Sequence, residues 1–335
     1  MTPRTLTAHA PTRIDFGGGW TDVPPFPAEE GGYVCNVAIS RRATVRLRAG
    51  LGGPRGDGDQ TTPDATAADS ALARAALVRA GLDGVALELT NDYPLGAGLG
   101  GSSAAGVAAV GALAAWRGLP LDRVGLAEES RRLEVEDLGV AGGRQDHYAA
   151  AFGGALGLRF GEAVELDPIP LGAVAGEIER RCVVAYTGQS RISGATITGV
   201  IDAYKRREPR VTAALRRMKA LAEFMADALR RGALDELGAM VAEHWAHQRS
   251  LHAQITTRRI DAIVERAARA GALGVKALGA SGGGSVLAIA EDGREEELAL
   301  AITPLGERLA FDSDWDGFQV VAVLDERHDD DEHVP

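Results

Sequence analysis

Pro94-Leu-Gly-Ala-Gly-Leu-Gly-Gly-Ser-Ser-Ala104 places a glycine-rich loop directly ahead of an Ala-rich run that reaches Trp116. Glycines let the backbone approach a polyphosphate, while successive N–H groups and the positive end of the following helix attract its charge. Ser102 and Ser103 stand at the helix mouth, where a hydroxyl reaches a nucleotide-bound Mg²⁺, a cation that prefers oxygen ligands. Taken alone, the loop is equally well explained by a serine helix cap. Gly96, Gly98 and Gly101 also satisfy G-x-G-x-x-G, but that dinucleotide fingerprint follows a strand directly within a βαβ unit, and here Asn91 to Pro94 intervene. No Lys follows the glycines, so a Walker A loop does not fit either.

Outward from this loop, Val85, Leu87 and Leu89 alternate with Ala86, Glu88 and Thr90 as a strand, and a helix over 71–80 precedes it. Gly52 to Asp69 has little to bury and reads as an exposed loop. The chain from its start through Ile39 reads as extended, interrupted by Gly17-Gly18-Gly19 and Pro24-Pro25, with a half-buried strand over 45–48. After the Ala-rich helix, Gly118 and Pro120 mark a stop, and a helix over about 121–138 ends at Gly139. A strand over 156–160 leads to a connector bearing Pro168 and Pro170, which divides the chain into a domain at 1–170 and a second at 171–325, with an acidic tail over 326–335. In the second part, Cys182 to Tyr186 is a buried-type strand. Val211, Leu215, Met218, Leu221, Met225 and Leu229 step along a long amphipathic helix, and Leu234 to Leu251 continue the stripe. Two further strands lie near 286–290 and 318–324.

A length of 335 residues, 45% hydrophobic and 25% charged, suits one large or two ordinary soluble domains. A net charge of −11 disfavours sequence-independent binding to nucleic acid or anionic membrane, which needs a basic face. The most apolar stretch, 104–116, is shorter than the roughly 18 residues a membrane span requires, and residues 1–19 lack a signal-peptide apolar run. Cys35 and Cys182 are too few for a disulfide framework or a Cys-built zinc site, which fits a reducing cytoplasm. His244, His247 and His252 cannot share one helical face, so zinc is disfavoured. Only Lys205, Lys219 and Lys276 are lysines, so positive charge in a mechanism must come from Arg or a metal.

Three spaced motifs then carry a specific resemblance. The loop 94–104 resembles the phosphate loop of the GHMP kinase superfamily. Ala10-Pro-Thr-Arg-Ile-Asp-Phe-Gly-Gly-Gly-Trp-Thr-Asp22 resembles its N-terminal sugar-recognition motif, and Lys276-Ala-Leu-Gly-Ala-Ser-Gly-Gly-Gly-Ser285 its C-terminal glycine motif. Within the superfamily the chain is most similar to bacterial heptose 7-phosphate kinases and related fucokinases, through Gly31-Gly32, the 143–149 segment and the 243–276 stretch. Trp20 stands where heptose kinases carry a third Gly of their Gly-Gly-Gly-Thr-Asp block, and there resembles fucokinases.

The resemblance implies a two-domain α+β fold, with an N-terminal part like ribosomal protein S5 domain 2, a ferredoxin-like C-terminal part and an active site in the cleft. It implies ATP with Mg²⁺ and transfer to the anomeric hydroxyl of a heptose 7-phosphate. The alternatives are a free sugar such as fucose, or a non-catalytic binding protein; monomer and homodimer both stay open. Pro94, Gly96, Gly98, Leu99, Gly100, Gly101, Ser102 and Ser103 would bind nucleotide, with Ser103 and Glu134 on the metal and Glu136 and Asp137 as the neighbouring alternatives. Asp146 would be the general base and Arg13 its partner, which suits phosphoryl transfer to a hydroxyl. Gly18, Gly19, Thr21, Asp22 and Gly283 would bind the acceptor. Arg144 and Arg191 offer guanidinium forks for an acceptor phosphate.

Overall fold

The computed structural model describes residues 4–49, 67–189 and 194–325. Two long antiparallel strands, β1 (Arg4–Gly17) and β2 (Gly32–Ala49), are joined through the glycine turn and the short α1 (Phe26–Glu30). The two-residue period of a strand sends Ile14 and Phe16 into the hydrophobic core and turns Arg13 and Asp15 to the opposite face; all four are buried. Next come α2 (Ala67–Ala80), β3 (Val85–Asn91) and α3 (Gly101–Trp116). The small residues Ala104, Ala105, Ala108, Ala109 and Ala112 let α3 pack closely on the sheet. Asp122 caps α4 (Arg123–Arg132) by accepting the Gly125 N–H, and the helix runs on into a single π-helical turn, Leu133–Asp137. The expected 121–138 helix is thus two helical forms in succession, and the π-helical turn bears the buried Glu134. α5 (Gln145–Phe152), β4 (Ala155–Phe160) and β5 (Val164–Ile169) follow.

The remaining elements are α6 (Val174–Arg181), β6 (Cys182–Tyr186), α7 (Gly194–Lys205), α8 (Pro209–Arg231), α9 (Leu234–Gln248), α10 (Arg258–Arg269), β7 (Ala272–Ala277), β8 (Ser285–Ala290), α11 (Glu295–Ile302), β9 (Glu307–Arg308) and β10 (Gln319–Asp325). Pro209 opens α8, where its missing N–H costs nothing, and Gly232 closes it at φ 69°. The stripe from Val211 to Leu229 is buried along its whole length. Two antiparallel sheets result, one in the order β10-β1-β2-β4-β5 with β3 also on β2, the other β7-β8-β6-β9.

These sheets and their segregated helices make an α+β fold, but the boundary at 170 does not hold at either end. β10 returns to pair with β1, from Arg4 opposite Asp325 to His9 opposite Gln319. An unpaired edge on β1 would leave backbone groups unsatisfied, so the last described strand belongs to the first sheet. Trp20 and Phe26 in turn bury themselves in the cluster built by α7, α8, α10 and the second sheet. Of the loop expected at 52–69, residues 52–66 lie outside the described residues and 67–69 already belong to α2; the tail at 326–335 also lies outside. Among the described residues, no helix is long and apolar enough to cross a membrane.

Candidate active site

Arg13 is the point where the expected motifs meet. Its Nε and Nη2 each lie 2.7 Å from Asp146 Oδ1, and its Nη1 donates to the Gly98 carbonyl at 2.7 Å. Its backbone N–H donates to the Leu99 carbonyl at 3.0 Å. Burial alone would lower the pKa of this guanidinium, but the Asp146 and Asp15 carboxylates outweigh it and the net shift is upward. One residue therefore clamps both the glycine loop and the proposed base. Arg13 is 3% exposed and Asp146 26%, so the carboxylate is the part of the pair that solvent reaches. Gly100 leaves no room for a side chain, because a Cβ there would sit 2.9 Å from Asp146 Cγ, and its φ is 75°.

Gly100, not a serine, stands at the N-cap of α3, and no side chain caps that end. The serine-cap explanation of the loop therefore fails. Ser102 Oγ instead donates to Glu134 Oε1 at 2.6 Å and Ser103 Oγ to Glu134 Oε2 at 3.0 Å. Glu136 and Asp137 turn outward to Arg79, which leaves Glu134 as the carboxylate at the helix mouth. Burial pushes the Glu134 pKa up, yet hydrogen bonds from His147 and the two serines pull it below the usual carboxylate value. A lasting anion with two hydroxyls is a hard oxygen set of the kind Mg²⁺ takes. His147 Nε2 lies 2.9 Å from Glu134 Oε2, and its Nδ1 2.9 Å from Ser130 Oγ. The C-terminal glycine motif closes the loop from the other side. Ser285 N–H donates to the Ala97 carbonyl at 2.7 Å, and a Cβ on Gly98 would sit 2.7 Å from the Leu278 carbonyl. Pro94 and Gly96 start this loop, with Pro94 accepting the Ala97 N–H, and Gly283 lies in the 278–285 turn packed against it.

The N-terminal motif is folded back on itself. Gly18 N–H donates to His244 Nε2 at 2.9 Å, and Thr21 Oγ1 lies 2.7 Å from the Gly18 carbonyl. Thr21 is fully buried with its hydroxyl engaged by this turn and by Tyr33, so it shapes the turn instead of facing an acceptor. Asp22 Oδ2 accepts the N–H groups of Arg144 and Gln145 at 2.9 and 3.1 Å, which ties the turn to the start of α5. Its burial, opposed by these N–H groups and aided by Asp146, pushes its pKa up to about 6. The Arg144 guanidinium lies 3.9 Å from Glu128, so only its backbone touches the Asp22 carboxylate. Arg191 lies outside the described residues. His247 faces Glu243 and His252 accepts the Gln254 N–H, so the three histidines go to separate partners.

Sequence reasoning missed Asp15 and the role of Lys276. Lys276 is fully buried and donates to Asp15 Oδ2 at 2.5 Å and to the Asp15 carbonyl at 2.9 Å. A mechanism here is thus not confined to arginine and metal for positive charge. The visible signal was a lone Lys in the apolar alternation Val275-Lys276-Ala277, together with Asp15 two residues from Arg13 on one strand face.

Family models for the GHMP kinases N terminal domain and the GHMP kinases C terminal match residues 66–154 and 225–304, together half of the chain. The chain is 27% identical over 330 residues to the bifunctional fucokinase/GDP-fucose pyrophosphorylase of Arabidopsis thaliana, matching 87% of itself but only 30% of that longer protein. It is 27% identical over 327 residues to the D-glycero-alpha-D-manno-heptose 7-phosphate kinase of Campylobacter jejuni, covering 89% of itself and 93% of that enzyme. The solved structure of a D-glycero-D-manno-heptose 1-phosphate kinase from Bacteroides thetaiotaomicron superposes with a TM-score of 0.72 at 24% identity, covering 95% of this chain and 99% of that one, which shows a shared fold. With both family halves matched in order, Arg13 joined to the glycine loop and Asp146, and the C-terminal glycine motif packed on that loop, the chain belongs to the GHMP kinase superfamily.

Proposed function

We propose that the chain transfers the γ-phosphoryl group of ATP to the anomeric hydroxyl of a heptose 7-phosphate, giving the 1,7-bisphosphate. The observation that carries the reading is the Arg13 bridge, which holds a partly exposed carboxylate beside a glycine loop at an uncapped helix N-terminus. Phosphoryl transfer depends mainly on positioning and charge, and this arrangement supplies both. Asp146 takes the proton of the acceptor hydroxyl, and Arg13 fixes the orientation of that carboxylate. The 98–103 backbone receives the phosphates. Ser103 and Glu134, with Ser102 beside them, would hold Mg²⁺, which when bound neutralises charge on the nucleotide phosphates.

Similarity to the Campylobacter heptose kinase across nearly its whole length supports the acceptor class. Arg144 and Arg191 are the cations proposed for its distal phosphate. A free-sugar reading, with fucose as the example, is favoured by Trp20 and by the fucokinase relative. ADP release measured across a panel of sugars and sugar phosphates tests both. The expected result is turnover of the heptose 7-phosphate above all others. Good turnover of free fucose with none of the 7-phosphate establishes the second reading, and no ATP binding at all overturns the kinase assignment.

A further inference from the structure

The buried polar atoms around the Gly17–Gly19 turn with no hydrogen-bond partner include Asp15 Oδ1, Gln145 Oε1 and Trp20 Nε1. Their residues are 3%, 7% and 7% exposed. An unpaired buried acceptor forfeits its solvation without recompense, so such groups call for a partner that arrives from outside. Two of these side chains flank one place, Gly19, which they meet through their other polar atoms. A Cβ on Gly19 would lie 2.9 Å from Asp15 Oδ2 and 3.4 Å from Gln145 Nε2. The bare Cα of Gly19 thus lies between the two side chains. This spot adjoins the reacting centre on both sides, since Asp15 shares a strand face with Arg13, and Gln145 precedes Asp146 on α5.

We propose that Asp15 Oδ1 and Gln145 Oε1 form the acceptor's polyol subsite, each accepting a hydroxyl of the sugar whose anomeric oxygen faces Asp146. The inference rests on the sugar-kinase reading above and names the residues that choose the acceptor. Two acceptor oxygens with no donors suit a ligand whose hydroxyls are donors. Lys276 is a positioning residue: its bond to Asp15 Oδ2 leaves Oδ1 as the free oxygen of that carboxylate. Gln145 keeps its backbone N–H on Asp22 whatever its side chain, so its side chain can be changed without releasing the α5 terminus. A site built to hydrogen-bond a hydroxyl rejects an analogue that lacks it, because the protein group is then left unpaired.

The test uses the full chain, Mg·ATP and the acceptor identified by the panel. Gln145→Met, close in size but without the acceptor oxygen, should raise the acceptor KM about 10-fold or more, with kcat and nucleotide Kd each within about threefold. Monodeoxy analogues of the acceptor give the second readout. Wild type should lose affinity for the analogue that lacks the paired hydroxyl, whereas Gln145→Met should no longer distinguish it from the parent sugar. For Asp15, Asp15→Asn combined with Lys276→Met avoids leaving an unpaired buried charge, and should likewise raise KM. Folded variants that bind ATP normally and keep the wild-type acceptor KM overturn the subsite while leaving the kinase reading intact. Wild-type protein that binds ATP but turns over no sugar overturns both.

Discussion

Arg13 on β1 and Asp146 at the start of α5, 133 residues apart, are joined by two guanidinium nitrogens on one carboxylate oxygen at 2.7 Å. The third nitrogen of the same fork holds the Gly98 carbonyl. A planar guanidinium can make both attachments at once, where a lysine ammonium offers no fixed fork. The proposed base and the proposed phosphate loop are therefore positioned by one rigid group.

If Asp146 takes the proton, Asp146→Asn should lower kcat by about 10²–10⁴ while nucleotide affinity by calorimetry changes little. The amide keeps the shape but cannot accept the proton. Near wild-type kcat in this variant would show that positioning alone carries the transfer.

Ser103→Ala removes a hydroxyl that donates to Glu134 in a 4% exposed position. The Mg²⁺ concentration needed for half-maximal rate should rise several-fold, while the thermal midpoint moves by only a few degrees, the size expected for losing one net hydrogen bond of about 1 kcal/mol. A large loss of stability with unchanged metal dependence would make the serine structural.

Asp22 supplies a pH signature. Its carboxyl is pushed up to about 6 in the folded chain from an ordinary value of 3.8, chiefly by burial. Between those values the folded state binds the proton more tightly than the unfolded state does. The contribution of Asp22 to stability therefore falls as pH rises from about 4 to about 6, by roughly 3 kcal/mol at most. Asp22→Asn, which can still accept the Arg144 and Gln145 N–H groups, should remove this slope. Thermal melts of both proteins across pH 4–7 should show the variant gaining on wild type towards neutral pH. A difference that stays constant with pH would refute the raised value.

The Lys276–Asp15 pair should behave as a buried ion pair. Lys276→Met alone strands an unpaired carboxylate and should cost about 3–5 kcal/mol in denaturant unfolding, whereas adding Asp15→Asn should recover much of that loss. Equal stability of the single and double variants would mean that the two charges are not coupled.

Local pattern made much of this chain legible before its structure. The alternation at 85–90, the stripe from Val211 to Leu229 and the buried run 182–186 each became the expected element, because periodicity reports which face of one element must leave water. The glycine loop was likewise readable as a turn opening a helix, whereas Glu134 and Asp146 were singled out by the family resemblance, and the structure sets Glu134 against Ser102 and Ser103 and Asp146 against Arg13. The helix expected over 121–138 also formed, over 123–137, but the π-helical form of its last turn was not readable, because such a turn has no sequence period of its own.

By itself the sequence determined the family, through three motifs in order, and the kinds of side chain available for phosphoryl transfer. Only the tertiary structure decided which of them meet. Lys276 reaches Asp15 across 261 residues, and His244 reaches Gly18 across 226. The serines at the mouth of α3 serve Glu134 because Gly100 already occupies the cap position. β10 joins the first sheet because β1 has an open edge there. The physical reason is common to all four. Strand pairing and the burial of charge are settled by what packs nearby in space, and no periodicity along the chain records that proximity.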